Sequence, residues 1–178
     1  ALEEALARLE GKPFMKTLIP EGRMNMVYAL PGASTPGEVA GFPGRITWDG
    51  KRLVAVSRPR FGASKHLASA VLTVMGRYPW MRAAINIRYS GEMVEAARGL
   101  GMKVTSYDRR EEPEEVKRVE GATIPWGVEK ALSKIGEPPD IIYHLGDIGK
   151  EAMITVLGRD PGEVSAKILR LVEASKKR

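Results

Sequence analysis

Seven positions, Arg60-Phe61-Gly62-Ala63-Ser64-Lys65-His66, hold four residue types that bind anions. A glycine in their middle permits a sharp turn. The apolar stripe Leu67, Ala70, Val71, Val74 and Met75 then starts a helix, with Ser64 placed to cap it. The first turn of a helix leaves N–H groups unpaired and carries about half a positive charge, so phosphate settles there readily. Arg60, Ser64 and Lys65 add side-chain donors at the same end, and His66 lies in the first turn. A plain cap beside a surface histidine is the bland alternative; the density of donors favours an anion site.

Other candidates are more scattered. Arg45 follows the flexible Gly41-Phe42-Pro43-Gly44 loop at the start of a strand. Arginine stays charged and grips phosphate oxygens in a fork, although taken alone it reads sooner as a surface ion-pair partner. Asn86 and Arg88 share the polar face of a strand otherwise built of Ile85 and Ile87. Asp108 and Arg109 leave the end of a strand, where α/β proteins place ligands, and Asp108 could hold a magnesium ion there. Gly146 to Lys150 is a second glycine-bearing loop, but it lacks the Walker spacing and the following Ser or Thr. His144 ends an apolar strand and reads as structural.

The elements that must position these residues follow from periodicity. Leu2, Leu6 and Leu9 predict a short amphipathic helix stopped by Gly11 and Pro13, so residues 1–12 read as an N-terminal helix and linker. Met24 to Leu30 predicts a strand; Gly32 to Gly44, with four glycines and two prolines, predicts a long loop. Asp49-Gly50 between two β-like runs predicts a hairpin. Strands at 84–89, 102–107, 140–144 and 152–157 alternate with helices, the last of them capped by Asp160 with Pro161 behind it. Alternation broken by hairpins predicts one domain over 1–178, with α/β layers around a mixed sheet.

Composition narrows the chemistry. The 178 residues include no cysteine, which removes thiolate catalysis, disulfides and thiolate metal sites. Two histidines cannot build a three-histidine metal centre. No apolar run approaches the roughly 20 residues that span a bilayer, and no signal peptide opens the chain, so the expectation is a cytoplasmic protein. Net charge is +6, yet residues 21–90 alone carry ten basic side chains against three acidic ones. Such a surplus bears on partners. With aromatics at 6% and no basic run interleaved with them, small phosphorylated ligands are expected, without nucleic acid or membrane.

Several blocks, in order, resemble the ThiN family, the archaeal-type thiamine-phosphate synthase domain. They include Asn25-Met26-Val27-Tyr28-Ala29, Val39-Ala40-Gly41-Phe42-Pro43-Gly44-Arg45, Pro59-Arg60-Phe61-Gly62-Ala63-Ser64-Lys65-His66 and Asn86-Ile87-Arg88-Tyr89-Ser90. Tyr107-Asp108-Arg109-Arg110-Glu111-Glu112-Pro113, Thr123-Ile124-Pro125-Trp126-Gly127 and Gly149-Lys150-Glu151 continue the series. The resemblance implies a three-layer α/β/α fold with a mixed, mostly antiparallel sheet, similar to the class II aldolase and adducin fold. It implies condensation of hydroxymethylpyrimidine diphosphate with a thiazole phosphate, giving thiamine phosphate and pyrophosphate, with magnesium as cofactor and no metal ligands assigned. The family's essential arginine and histidine fall on Arg45 and His66. Asn25, Arg60, Gly62, Ala63, Ser64, Asn86, Arg88, Asp108, Arg109 and Lys150 are the expected substrate-binding residues. A fused pyrimidine kinase domain is the expected partner, and self-association is left open. Related transcriptional regulators, which would sense thiamine phosphate without making it, tend to lack that arginine, that histidine and the N-terminal helix. This chain has all three. The family pattern places an acidic residue where His144 follows Tyr143.

Overall fold

Ile85 and Ile87 turn to one side of a central strand and Ala84 and Asn86 to the other, and this alternation sets the plan of the layers. The structure, a computed structural model, describes residues 1–177. Its main sheet has seven strands in the order β5-β2-β1-β6-β9-β8-β7. The strands are β1 (Met26–Ala29), β2 (Val39–Gly41), β5 (Arg60–Phe61), β6 (Ala83–Arg88), β7 (Val104–Ser106), β8 (Ile141–His144) and β9 (Met153–Gly158). All neighbours pair antiparallel except β7 and β8, which run parallel. The two remaining strands, β3 (Ile46–Trp48) and β4 (Leu53–Ala55), form a separate hairpin around Asp49-Gly50.

Helices cover both faces of the sheet. On one side Leu2, Leu6 and Leu9 of α1 (Leu2–Glu10) and Met93 and Val94 of α3 (Gly91–Gly99) are buried in a shared core. Ile168, Leu171 and Val172 of α6 (Pro161–Lys176) complete it. On the other side Leu67, Val71 and Val74 of α2 (Lys65–Met75) pack with Val128 and Leu132 of α5 (Thr123–Ser133). The result is the expected three-layer α/β/α arrangement. Asp160 caps α6 by accepting from Glu163 N–H at 2.8 Å, with Pro161 in the first turn. Buried Lys167 fastens the same helix to the sheet: its Nζ lies 2.7 Å from Asp140 Oδ1 and donates to Leu157 O at 2.7 Å. A short helix, α4 (Glu114–Lys117), precedes α5. Among the described residues no helix is long and apolar enough to cross a membrane.

The expected loop from Gly32 to Gly44 is only partly a loop. Val39-Ala40-Gly41 pairs with β1 on one side and with Arg60–Phe61 on the other, and a 3-10 turn over Pro36–Glu38 leads into it. Three residues flanked by proline and glycine are too few for a period-2 pattern to register. The pairing matters because it carries the Gly41 to Arg45 segment to the start of α2.

Candidate active site

The strands' polar positions converge under α2. A cavity of about 630 Å³ opens between the α2–α5 layer and the face of β6, β8 and β9 that carries Asn86, His144 and Thr155. Its floor and inner wall are apolar, with Leu67, Ala70, Val74, Val128, Ile142 and Leu157. Its remaining wall is charged: Arg23, Arg45, Lys65, Arg109 and Lys150 face one carboxylate, Glu151. Such a surplus of cations beside apolar surface suits a ligand with a phosphate at one end and a ring at the other.

The start of α2 forms one wall. Gly62 takes a left-handed φ of +78°, which turns the chain out of β5, and Gly62 to Leu67 line the cavity in sequence. Ser64 occupies the cap position but makes no side-chain capping bond, so its hydroxyl stays available along with the free N–H groups of the first turn. His66 is exposed at the cavity. Opposite, Arg45 sits in left-handed backbone with φ +67° and donates from Nη1 to the carbonyl of Gly22. A non-glycine residue is rarely held there unless its surroundings impose it.

Asn25 and Asn86 both line the cavity, and their side-chain amides also bond to backbone. The Asn25 side chain is buried, accepting from Met26 N–H at 2.8 Å and Phe42 N–H at 3.0 Å while donating to Phe42 O at 3.0 Å. Asn86 Oδ1 accepts from Asn25 N–H at 2.7 Å, and its Nδ2 donates to Arg23 O at 3.2 Å. The two amides thus tie together the segments that carry Arg23 and Arg45. Most of their hydrogen bonds go to backbone, which gives them a positioning role.

Three expected residues fall outside the cavity wall. Arg60 is exposed on β5, and Arg88 is exposed at the end of β6, two residues beyond Asn86. Asp108 accepts from Arg110 N–H at 2.9 Å and from Arg110 Nη2 at 2.7 Å; these bonds lower its carboxyl to about 2. Its charge is matched within its own turn by Arg110. Among the described residues no group of three His, Asp or Glu side chains is arranged to hold a metal ion.

Wall residues not singled out as binding residues from sequence include Arg23, Tyr107, His144 and Glu151. Glu151 braces the turn before Arg23, its two oxygens accepting from Glu21 N–H at 3.0 Å and Gly22 N–H at 2.9 Å. Its block, Gly149-Lys150-Glu151, was visible. Its role was not, because the acceptor pairs with backbone about 130 residues away. His144, expected to be structural, is both structural and at the wall. It accepts from Gly146 N–H at Nδ1, 3.1 Å, so the neutral ring carries its proton on Nε2. Burial, and secondly Arg109, pull the imidazole down to about 4. Tyr107 stacks at 5.2 Å from the His144 ring, and burial pushes its phenol up to about 12. Beside them, among the described residues, the buried Nε of Arg109 has no hydrogen-bond partner and its guanidinium forms no ion pair.

A three-layer domain with a cationic cavity set against apolar surface defines a handler of small phosphorylated molecules. The fold is that of the class II aldolases: the chain superposes on an L-fuculose-1-phosphate aldolase of Thermus thermophilus with a TM-score of 0.52 at 18% identity, covering 99% of this chain and 92% of the other. The family model for thiamine-phosphate synthase ThiN matches residues 1–170. A thiamine-phosphate synthase ThiN of Methanothermobacter thermautotrophicus is 38% identical over 98% of this chain and 92% of its own length. A bifunctional thiamine biosynthesis protein ThiDN of Methanocaldococcus jannaschii is 40% identical over 85% of this chain, which spans 35% of that longer protein. Among solved structures, the C-terminal domain of a phosphomethylpyrimidine kinase superposes with a TM-score of 0.85 at 52% identity, covering 96% of this chain and 97% of the other. The chain belongs to the ThiN family of thiamine-phosphate synthases.

Proposed function

We propose that this chain joins hydroxymethylpyrimidine diphosphate to hydroxyethylthiazole phosphate, releasing thiamine phosphate and pyrophosphate. The observation that carries the reading is the cavity itself, with five cationic side chains and one carboxylate around an apolar floor. Both substrates are anions with flat rings, and the pyrophosphate product is a stronger anion still. The difficult event is cleavage of the carbon–oxygen bond to diphosphate, in which the electron-rich pyrimidine carries the developing cation. The thiazole nitrogen supplies the electron pair for the new carbon–nitrogen bond, and the electrons of the old bond leave with pyrophosphate. What the protein must supply is preorganised positive charge at the departing group.

Arg45, His66 and the start of α2 from Gly62 to Ser64 are the proposed diphosphate site. They line one cavity, and their donors are positioned before substrate arrives. The second anion site is assigned to Arg109 and Lys150. Both are cations that line the cavity, whereas Arg88 lies outside its wall and Asn25 is hydrogen-bonded to Phe42. Magnesium commonly binds through one or two carboxylates together with substrate phosphates. Among the described residues Glu151 is the one carboxylate lining the cavity, and each of its oxygens keeps a lone pair beyond its backbone bond. Glu151 would therefore hold the ion, whose contribution would be to neutralise charge on the diphosphate. The ThiDN relative makes a fused kinase domain the proposed covalent partner, and the cytoplasm the proposed place of action.

The test is direct. Incubation with both substrates and magnesium should yield thiamine phosphate and an equal amount of pyrophosphate. Binding of thiamine phosphate without turnover of the substrates would overturn the reading.

A further inference from the structure

Two β-turns in this chain end in the same dipeptide. Pro20-Glu21-Gly22-Arg23 closes with Arg23 N–H donating to Pro20 O at 2.9 Å; Phe42-Pro43-Gly44-Arg45 closes with Arg45 N–H donating to Phe42 O at 3.0 Å. The residue after each turn then pairs with its counterpart: Met24 N–H donates to Ile46 O at 3.1 Å, and Ile46 N–H to Met24 O at 2.7 Å. Among the described residues Arg23 and Arg45 are also the two non-glycine residues with positive φ, at +69° and +67°. Each sends its guanidinium to the carbonyl before the other. Arg45 Nη1 donates to Gly22 O, and Arg23 Nη1 donates to Gly44 O at 3.5 Å. Both arginines line the cavity.

We propose that Arg23 is a second diphosphate-binding residue, forming with Arg45 a two-armed clamp on the pyrimidine diphosphate. The proposal rests on the synthase reading above and adds a residue to its leaving-group site. Left-handed backbone at a non-glycine residue persists only where neighbours impose it, and such strain clusters at ligand clamps. Here the neighbours are explicit. Glu151 holds the Glu21 and Gly22 N–H groups, Asn86 holds the Arg23 carbonyl, and Pro20 receives its N–H. A surface arginine with no ligand to meet has no need of that scaffold. The charge bookkeeping agrees: no acidic side chain in the described residues forms an ion pair with Arg23 or Arg45. A guanidinium has five donors, and the single carbonyl bond leaves the rest of each fork free. One fork suits one phosphoryl group, so two forks on one wall suit a diphosphate.

Arg23→Gly and Arg23→Asn separate binding from structure, because both residues accept left-handed backbone while removing the cation. Inorganic pyrophosphate is titrated into each protein by calorimetry, melting temperatures are recorded, and KM for the thiazole phosphate serves as control. The expected result is pyrophosphate affinity lower by about tenfold or more in both variants. Melting should stay at or above the parent value in Arg23→Gly, and KM for the thiazole phosphate should stay within about twofold of the parent. Unchanged pyrophosphate affinity in either folded variant overturns the clamp, as does a loss of affinity that only tracks a fall in melting temperature. A parent protein that binds pyrophosphate through Arg23 yet makes no thiamine phosphate would sink the synthase reading and leave the clamp standing. A parent protein that ignores pyrophosphate would sink both.

Discussion

At the scale of single residues, the site separates groups that meet ligand from groups that hold those groups still. Arg45 and His66 are proposed for the first class, and Arg45→Ala and His66→Ala should each lower turnover by about a hundredfold or more, since a lost donor at a developing anion costs about 2.7–4 kcal/mol. Product formation under saturating substrates, with circular dichroism to show an intact fold, checks this. Turnover close to the parent in both variants would refute the assignment. His144 gives a second test, through acid. Burial keeps its imidazole neutral in the folded protein, with a pKa near 4 against 6.5 ordinarily. The unfolded chain therefore takes up the proton first, and stability falls as pH drops from 6.5 towards 4, by up to about 3 kcal/mol across that window. Urea unfolding at pH 7 and at pH 4.5 should show the loss in the parent protein, and His144→Asn should show much less of it. Equal slopes in the two proteins would mean that another group sets the acid limit.

At the scale of elements, α5 shows how a helix can be shaped by what lies beneath it. Gly127 stands in its interior, at a cost of about 1 kcal/mol in helix propensity. The reason is contact: a Cβ there would lie 2.3 Å from Tyr107 Cε2. Gly127→Ala should thus lower the melting temperature despite better propensity, because overpacking costs about 1–3 kcal/mol, and should raise KM by displacing Tyr107 at the wall. A higher melting temperature would show that the ring gives way freely. The same contrast between local and tertiary causes marks what the sequence could disclose. The α2 and α6 starts were legible, because Gly62, Asp160 and Pro161 act within a few residues, although Ser64 at the α2 cap position makes no capping bond. The Asp49-Gly50 hairpin was legible for the same reason, and so were the layers. The short β2 was not, since its strand character comes from partners on both sides. Nor were the backbone duties of Asn25 and Asn86, or the place of Arg23 at the wall, because each depends on a segment at least 17 residues away. Arg60, Arg88 and Asp108 belong to blocks that adjoin the cavity, and adjacency in sequence does not tell which side chain turns inward.

At the scale of the whole molecule, the basic surplus of residues 21–90 and the cations at the cavity point in the same direction. Arg23, Arg45 and Lys65 all come from that segment. Long-range attraction should speed capture of anionic substrates, so kcat/KM for the pyrimidine diphosphate should fall several-fold as ionic strength rises from about 0.01 M to about 0.15 M and the screening length shrinks from about 30 Å to about 8 Å. Initial rates across a salt series measure this, and a flat profile would confine the charges to work at contact. One feature of the sheet carries a different consequence. The central ladder pairs Ala83 to Arg88 with Gly158 to Met153, and the second of these strands supplies Met153, Thr155 and Leu157 to the cavity. A nascent chain leaving the ribosome therefore displays Arg23, Arg45 and His66 well before it has any chamber to put them in. Translation must run past Leu157 before that chamber has all its walls.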